Sequence, residues 1–459
     1  MLKAGAAKVD ITPFLGGPMA GYAGRDKGSE AVHDPLYAKA LVLDDGRTKV
    51  ALVTTDLIGV NRELAAETRD LVKKMVRLPQ ECVWLCGSHT HFGPEIRRDR
   101  SGDDRDGYDS AYAKMLPKKL ASAVKMAHDS RRRARVGSGR INAEGISYNR
   151  RPIAPDGKAV MSLVLPAARD DVKFGPVDTE VGILKVTGPE EGDTIATLIN
   201  FGCHPVSSTD RMLEITADYP GYAMDLIEQV EGGVCLFALG CAGNIVPIQR
   251  HGRSKRQVGL SLGGSALKEL QWIATTDEAR IRAGRKQVTL PVHEFPFPEE
   301  MERQIEQTSA QLERARKRNA PNWEMTQLRH ALNKAQSMPQ WAERFKDKDE
   351  LDTEVQAFWI GDIPMVGLPG EVFTELGMQV KKGVGVSPTI VASLSNDGVG
   401  YVSIRKAYAQ GGYEPNRSPL RRGAGEMLVK EAVALAESVR KKRGPRPKVK
   451  RTKSARQRS

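Results

Sequence analysis

Cysteine is scarce in this chain, and so is any long apolar run. Only five cysteines occur in 459 residues: Cys82, Cys86, Cys203, Cys235 and Cys241. An odd number, placed in or at the ends of apolar runs, argues against a disulfide framework and for reduced, buried thiols. Cys82 and Cys86 stand four apart with no matching pair downstream, so a cysteine metal knuckle is not indicated. No stretch approaches the roughly 20 apolar residues that span a bilayer. The opening MLKAGAAKVDITPF lacks the basic-then-apolar order of a secretion signal, so the expected location is cytoplasmic. No internal repeat is visible. The last segment, Arg440–Ser459, has no acidic residue and eleven Lys or Arg. Subtracting these from the net charge of +13 leaves 13 − 11 = +2 for the other 439 residues, so the basicity belongs to a tail. The tail is too polar and proline-punctuated to fold alone. It reads either as a solvated, disordered segment or as an arm for nucleic acid or an anionic membrane.

Against that plain background one arrangement recurs. An apolar β-run ends abruptly in glycine and potential metal ligands at CVWLCGSHTHFGP (Cys82–Pro94), TIATLINFGCHPVSS (Thr194–Ser208) and GVCLFALGCAGNIVP (Gly233–Pro247). Strand ends hold side chains rigidly at the rim of a sheet, where sites are built. Three of only eight histidines, His89, His91 and His204, sit at such ends. In an extended strand His89 and His91 would share a face, which would let both address one metal, or one bind metal and the other substrate.

The rest of the chain fits an α/β fold of mixed, largely buried sheets flanked by helices. Residues 5–60 read as strands, and Arg62–Val76 as a helix leading to the Cys82 strand, a βαβ unit with parallel pairing. Tyr112–His128 has helical spacing despite Pro117. Val181–Val186 and Thr194–Phe201 read as a strand pair, and Tyr219–Val230 as a helix entered at Asp218. Glu299–Phe345 is charged and poor in β-branched residues, with apolar stripes broken at Asn319–Pro321; it reads as an inserted helical hairpin at about 297–345. Strands then resume, and a helix over Gly425–Val439 closes a single domain of residues 1–439, before the tail at 440–459.

Four further places hold candidate chemistry. Glu371 follows a Pro-Gly turn at the apparent start of a helix, where it is either a first-turn acid or a carboxylate ligand. Tyr401 lies in a strand, where tyrosine ordinarily packs. Tyr413 lies in the glycine-rich AQGGYEP loop. Asn149, Arg150 and Arg151 form either an electropositive corner for a carboxylate or oxyanion, or a solvated turn.

Taken in order, GSHTHFGP, NFGCHPV, DYPG, GLPGEVFTELG, GYVSIRKAY and GGYEP, with the opening AGAAKVDITPF and HDPLYAKALVL, resemble the neutral/alkaline non-lysosomal ceramidase family over roughly residues 4–435. The resemblance implies a zinc ion held by His89, His204, Glu371 and Tyr401, with His91, Arg150 and Tyr413 around the scissile amide and its oxyanion. It implies a zinc hydrolase cleaving the N-acyl bond of a small-molecule or lipid-like amide, in sphingolipid metabolism. Two departures matter. Val246, in Gly243–Pro247, stands where the family's ceramidases carry a serine at the zinc, so attack by metal-activated water with His91 as proton shuttle is expected. In those enzymes an immunoglobulin-like domain follows the catalytic one, where here one helix and the basic tail are expected. The competing expectation is a non-catalytic, metal-binding relative tethered to an anionic polymer or membrane by the basic tail.

Overall fold

The computed structural model describes residues 1–22, 25–96, 110–165, 171–346 and 348–442. The loop Arg97–Asp109 and the tail from Arg443 onward, on which the expected anion-binding arm mostly falls, lie outside the described residues.

Three sheets share one design. The first joins β1 (Lys3–Asp10), β2 (Tyr37–Asp44) and β3 (Lys49–Thr55) as antiparallel neighbours. Helix α1 (Arg62–Val76) then carries the chain over to β4 (Val83–Gly87), which pairs parallel with β3. Asn61 caps α1 by accepting from the Leu64 amide, and the buried stripe Leu64, Ala65, Thr68, Val72 and Val76 turns it onto the sheet. Helix α2 (Ser110–Asp129) packs behind β1 and contains Pro117. Its buried face, Leu116, Leu120, Ala123, Val124 and Ala127, holds the helix together where proline removes one amide donor.

The second sheet runs β5 (Arg135–Asn142), β6 (Glu180–Thr187), β7 (Thr194–Phe201), α3 (Tyr219–Glu231) and β8 (Val234–Leu239) in chain order, with β7 and β8 parallel across α3. Asp218 accepts from the Tyr219 amide at the entry to α3, as its position before Pro220 predicts. Helix α4 (Ser254–Leu270) packs on α3.

The third sheet begins with β9 (Ile281–Pro291). The helices α5 (Pro298–Lys317) and α6 (Asn322–Arg344) follow, then β10 (Glu350–Ile360). Pro291 and Glu350 are register partners, so the hairpin leaves the sheet and re-enters at the same rung. Strand β11 (Ile363–Gly367), helix α7 (Thr374–Val384) and strand β12 (Ile390–Ala392) form the third parallel crossover, and α8 (Ala424–Lys441) packs across β9 and β10.

The parallel pairs explain the strand-end pattern of the sequence. In each crossover the polar segment begins just past a carboxyl end: His89 after β4, His204 after β7, Gly243–Pro247 after β8 and Glu371 after β11. Carboxyl ends of parallel strands are where open α/β sheets form binding crevices. The third sheet's exit loop is pinned to the first sheet. The Leu85 amide donates to Asn396 Oδ1 at 2.9 Å and Trp84 Nε1 to Ser395 Oγ at 2.9 Å. Those buried bonds fix Glu371 and Tyr401 against the histidine loop. All five cysteines are free and buried. No described helix is long and apolar enough to cross a membrane.

Candidate metal centre

His89 is placed by a close approach of two backbones. A Cβ at Gly87 would meet the Gly59 Cα at 2.7 Å, so glycine is what lets the end of β4 lie against residues 57–59. The His89 amide then donates to the Leu57 carbonyl at 2.9 Å, and its Nδ1 lies 2.6 Å from the Ile58 carbonyl. His89 adopts φ 71°, a left-handed conformation uncommon for a non-glycine residue. The strand has ended by then, so the alternation rule does not bring His89 and His91 together. The turn does: their rings lie 4.8 Å apart and their Nε2 atoms 3.3 Å.

His204 is held by the turn after β8. Its amide donates to the Ile245 carbonyl, and its Nδ1 lies 2.6 Å from the Ala242 carbonyl and 3.0 Å from that of Ile245. Glu371 is not a first-turn acid. It forms the two-residue strand Glu371–Val372, and α7 starts at Thr374 with Glu375 in its first turn. That strand pairs parallel with Tyr401–Val402, and Glu371 and Tyr401 are register partners. Of the ligand set that the resemblance implies, His89, His204 and Glu371 meet directly, and Tyr401 stands in register with Glu371.

The chemistry of the donors can now be read from their partners. A backbone carbonyl only accepts, so Nδ1 of both His89 and His204 carries a hydrogen and the nitrogen each ring turns inward is Nε2. Both nitrogens face the same carboxylate oxygen: Glu371 Oε2 is 3.3 Å from His89 Nε2 and 3.4 Å from His204 Nε2. Despite those distances, His204 Nε2 and Glu371 Oε2 are buried atoms without a hydrogen-bond partner. Two unpartnered acceptors thus meet beside His89 Nε2, whose neighbour is His91 Nε2, an arrangement that a bound cation resolves. His89, His91 and His204 also form a group whose ligand atoms all lie within 4.8 Å of one another.

The charges follow the same geometry. Burial, with the neighbouring Arg150 charge, lowers the His204 imidazole to about 4. Burial and the two neighbouring imidazoles hold His91 well below its usual value. For Glu371, burial pushes upward, but His89 and His204, in their protonated forms, outweigh it and hold the carboxyl well below the usual range. Burial and the Glu371 charge raise the Tyr401 phenol well above its usual value, against a smaller pull from Arg150.

His91 is wedged beside the centre. Tyr22 packs edge-on against its ring at 5.0 Å, and Arg25 Nη2 donates to its carbonyl at 2.7 Å. A Cβ on Gly21, which has φ 101°, would strike the His91 ring at 2.6 Å. The His91 Nδ1 is buried without a partner.

The Asn149–Arg151 corner is no solvated turn. All three residues are buried. The carboxylate it receives belongs to the chain itself: Glu414, completely buried, accepts from Arg150 Nε at 2.8 Å and from Arg151 Nη1 at 2.5 Å. Arg150 Nη2 donates to Tyr401 Oη at 3.1 Å and to the Gly243 carbonyl at 2.9 Å. Tyr413 lies edge-on to Tyr401 at 5.7 Å. Sequence reasoning missed Glu414, and it missed Asn244. Asn244 accepts from the Thr374 amide, donates to Glu375, and its carbonyl takes the Arg150 amide. Glu414 could have been suspected from its place beside Tyr413 in GGYEP.

No nucleophilic side chain emerges from the third strand end. Val246 is fully buried against Tyr148 and Val206. Cys241 sits in the core, where a Cβ on Gly377 would meet its Sγ at 2.7 Å, and burial pushes its thiol up to about 12.

Comparison with known proteins agrees with the fold. Two solved structures superpose on 97% of this chain: a neutral ceramidase from Pseudomonas aeruginosa and a ceramidase complexed with C2, each with a TM-score of 0.71 and 17% identity. The match covers 76% of the first chain and 77% of the second. Residues 2–238 match the family described as neutral/alkaline non-lysosomal ceramidase, N-terminal. Ordered strand-end motifs, a shared fold and a family match over more than half of its length together place this chain in the neutral/alkaline non-lysosomal ceramidase family.

Proposed function

We propose that this ceramidase-family hydrolase is zinc-dependent and cleaves an amide, N-acyl bond with water as the nucleophile. The observation that carries the reading is the meeting of His89 Nε2, His204 Nε2 and Glu371 Oε2, the last two without a hydrogen-bond partner. Two imidazoles and a carboxylate, with Tyr401 in register, form a nitrogen–oxygen donor set of the kind that suits zinc. When bound, zinc supplies Lewis acidity toward a carbonyl oxygen and lowers the pKa of a water from about 15.7 to about 7.

The protein's own groups do the rest. His91, held neutral by burial and the neighbouring imidazoles, accepts the proton of the attacking water and returns it to the leaving nitrogen. The nitrogen it turns toward the centre is Nε2, 3.3 Å from His89 Nε2. Arg150, stabilised in its charged form by Tyr401 and Glu414 against the cost of burial, brings positive charge to the developing oxyanion. Its Nε and Nη2 are already committed within the protein, so that stabilisation is electrostatic and runs through Tyr401. Tyr413, edge-on to Tyr401, is the residue we assign to the oxyanion beside it. Val246, having no polar atom, packs with Tyr148 and Val206 in a small buried cluster that Tyr22, beside His91, also touches. A lipid-like amide is the substrate class that family membership supports.

The test is hydrolysis of a panel of N-acyl amides and matched esters, including detergent-dispersed ceramide, with and without a chelator. Chelator-sensitive amide cleavage that falls at least a hundredfold in His91→Ala supports the reading. Absence of turnover across the panel by a zinc-loaded protein would favour the non-catalytic relative instead.

A further inference from the structure

Adjacent residues of an extended chain point apart, yet Arg150 and Arg151 close on one carboxylate. Each oxygen of Glu414 takes one guanidinium. Glu414 is completely buried and the arginines are each 5% exposed. A charge buried that deeply is costly unless paired and hydrogen-bonded, and removal of one member leaves the others uncompensated. Arg151 contributes nothing to the metal centre directly. Its other contacts are the Gly411 carbonyl at 2.8 Å and the face of Phe373.

Arg150 is different. Its Nη2 carries two hydrogens and spends them on Tyr401 Oη and the Gly243 carbonyl. Tyr401 is the register partner of Glu371, and Gly243 lies within the turn whose Ala242 and Ile245 carbonyls orient His204. One guanidinium therefore touches the supports of two metal ligands. What fixes that guanidinium is the bond from its Nε to Glu414. Without Glu414, Glu371, whose charge acts on Tyr401 as that of Arg150 does, is a carboxylate that can attract Arg150.

We propose that Glu414 is a positioning residue, whose carboxylate, shared between Arg150 and Arg151, holds the Arg150 guanidinium on Tyr401 and keeps it away from Glu371. Glu414 thereby preserves the ligand arrangement for the metal without touching it. Partners in the outer shell of a metal site are worth about 10–100-fold in metal affinity.

The inference rests on the zinc reading of the centre, and one experiment separates the two. Zinc affinity is measured by competition with a chromophoric chelator for wild type, Glu414→Gln, Glu414→Asp, Tyr401→Phe and the Glu414→Gln/Tyr401→Phe double variant. Circular dichroism and thermal unfolding report the fold. Glu414→Gln is expected to weaken zinc by about 10–100-fold, and Glu414→Asp, which keeps the charge, by less. In the Tyr401→Phe background Glu414→Gln is expected to add little, because both act along one route. Wild type that fails to bind zinc overturns the metal reading itself. Wild type that binds zinc, with Glu414→Gln binding equally well, overturns only the inference. So does a loss of the same size in both backgrounds, which marks a purely structural role. Should Glu414→Gln not fold, the Glu414→Asp variant, alone and with Tyr401→Phe, decides by the same comparison.

Discussion

Acidification of the metal-free protein probes the site through a group whose environment is unambiguous. His204 is completely buried and donates from Nδ1 to backbone carbonyls, and its imidazole is lowered to about 4. In the unfolded chain it titrates near 6.5. As pH falls below 6.5 the unfolded chain takes up the proton first, so stability is lost between pH 6.5 and 4 and is fully present above that window. At pH 5, a base shifted from about 6.5 to about 4 has lost about 2 kcal/mol, roughly thirtyfold in the unfolding equilibrium. The Glu371 carboxyl, held below its usual range, contributes stability above its unfolded value and loses it only at lower pH. His204→Asn retains a donor where Nδ1 stands and removes the titration. Urea unfolding of chelator-treated wild type and His204→Asn at pH 7 and pH 5 isolates the difference, because the other histidines are common to both. Wild type is expected to lose about 2 kcal/mol more than the variant on going to pH 5. An equal loss in both proteins would show that His204 is not buried and neutral, and the assignment of its bare Nε2 would fall.

Other expectations follow from the same geometry. Val246→Ser puts a hydroxyl among Tyr148 and Val206 and is expected to cost about 2–4 kcal/mol of stability, read by urea unfolding, while leaving hydrolysis within tenfold of wild type; a hundredfold gain in kcat would show that a serine nucleophile was what the site lacked. Asp56 is buried and its carboxyl is raised to about 7, chiefly by burial, so its contribution to stability declines as pH rises from 3.8 through 7. Asp56→Asn should therefore gain stability relative to wild type at pH 8 and much less at pH 4, and the opposite order would refute a protonated Asp56. Burial holds Cys82, Cys86, Cys235 and Cys241 each at about 12, so a thiol reagent at pH 8 should label none of them until denaturant is added.

The strand-end glycines made much of the centre legible in advance. His89, His204 and Glu371 each follow an apolar run, and the crossover helices that make those runs parallel leave periodic stripes of their own; Tyr401, after the polar Ser395–Gly398, was reached only through the family resemblance. The reason given for His89 and His91 did not survive, because φ 71° at His89 takes the pair out of the strand. Glu371 proved to belong to a two-residue strand, a distinction that depends on its pairing with Tyr401 and not on local propensity. The hairpin was legible from composition, whereas its re-entry at the Pro291–Glu350 rung is a matter of register. The place of Glu414 beside Tyr413 marked its position, but its part was illegible because its partners lie 264 and 263 residues away in sequence. Arg150 and Arg151 next to one another announced a need for an anion. Nothing local could say that the chain supplies its own.

The most direct measurement is the metal content of the purified protein by elemental mass spectrometry, wild type beside His89→Ala/His204→Ala. The meeting of His89, His204 and Glu371 leads to an expectation of about one zinc per chain in wild type and none in the double variant. Wild type without metal after zinc loading, or a double variant that retains a full equivalent, would contradict a metal centre built on His89, His204 and Glu371.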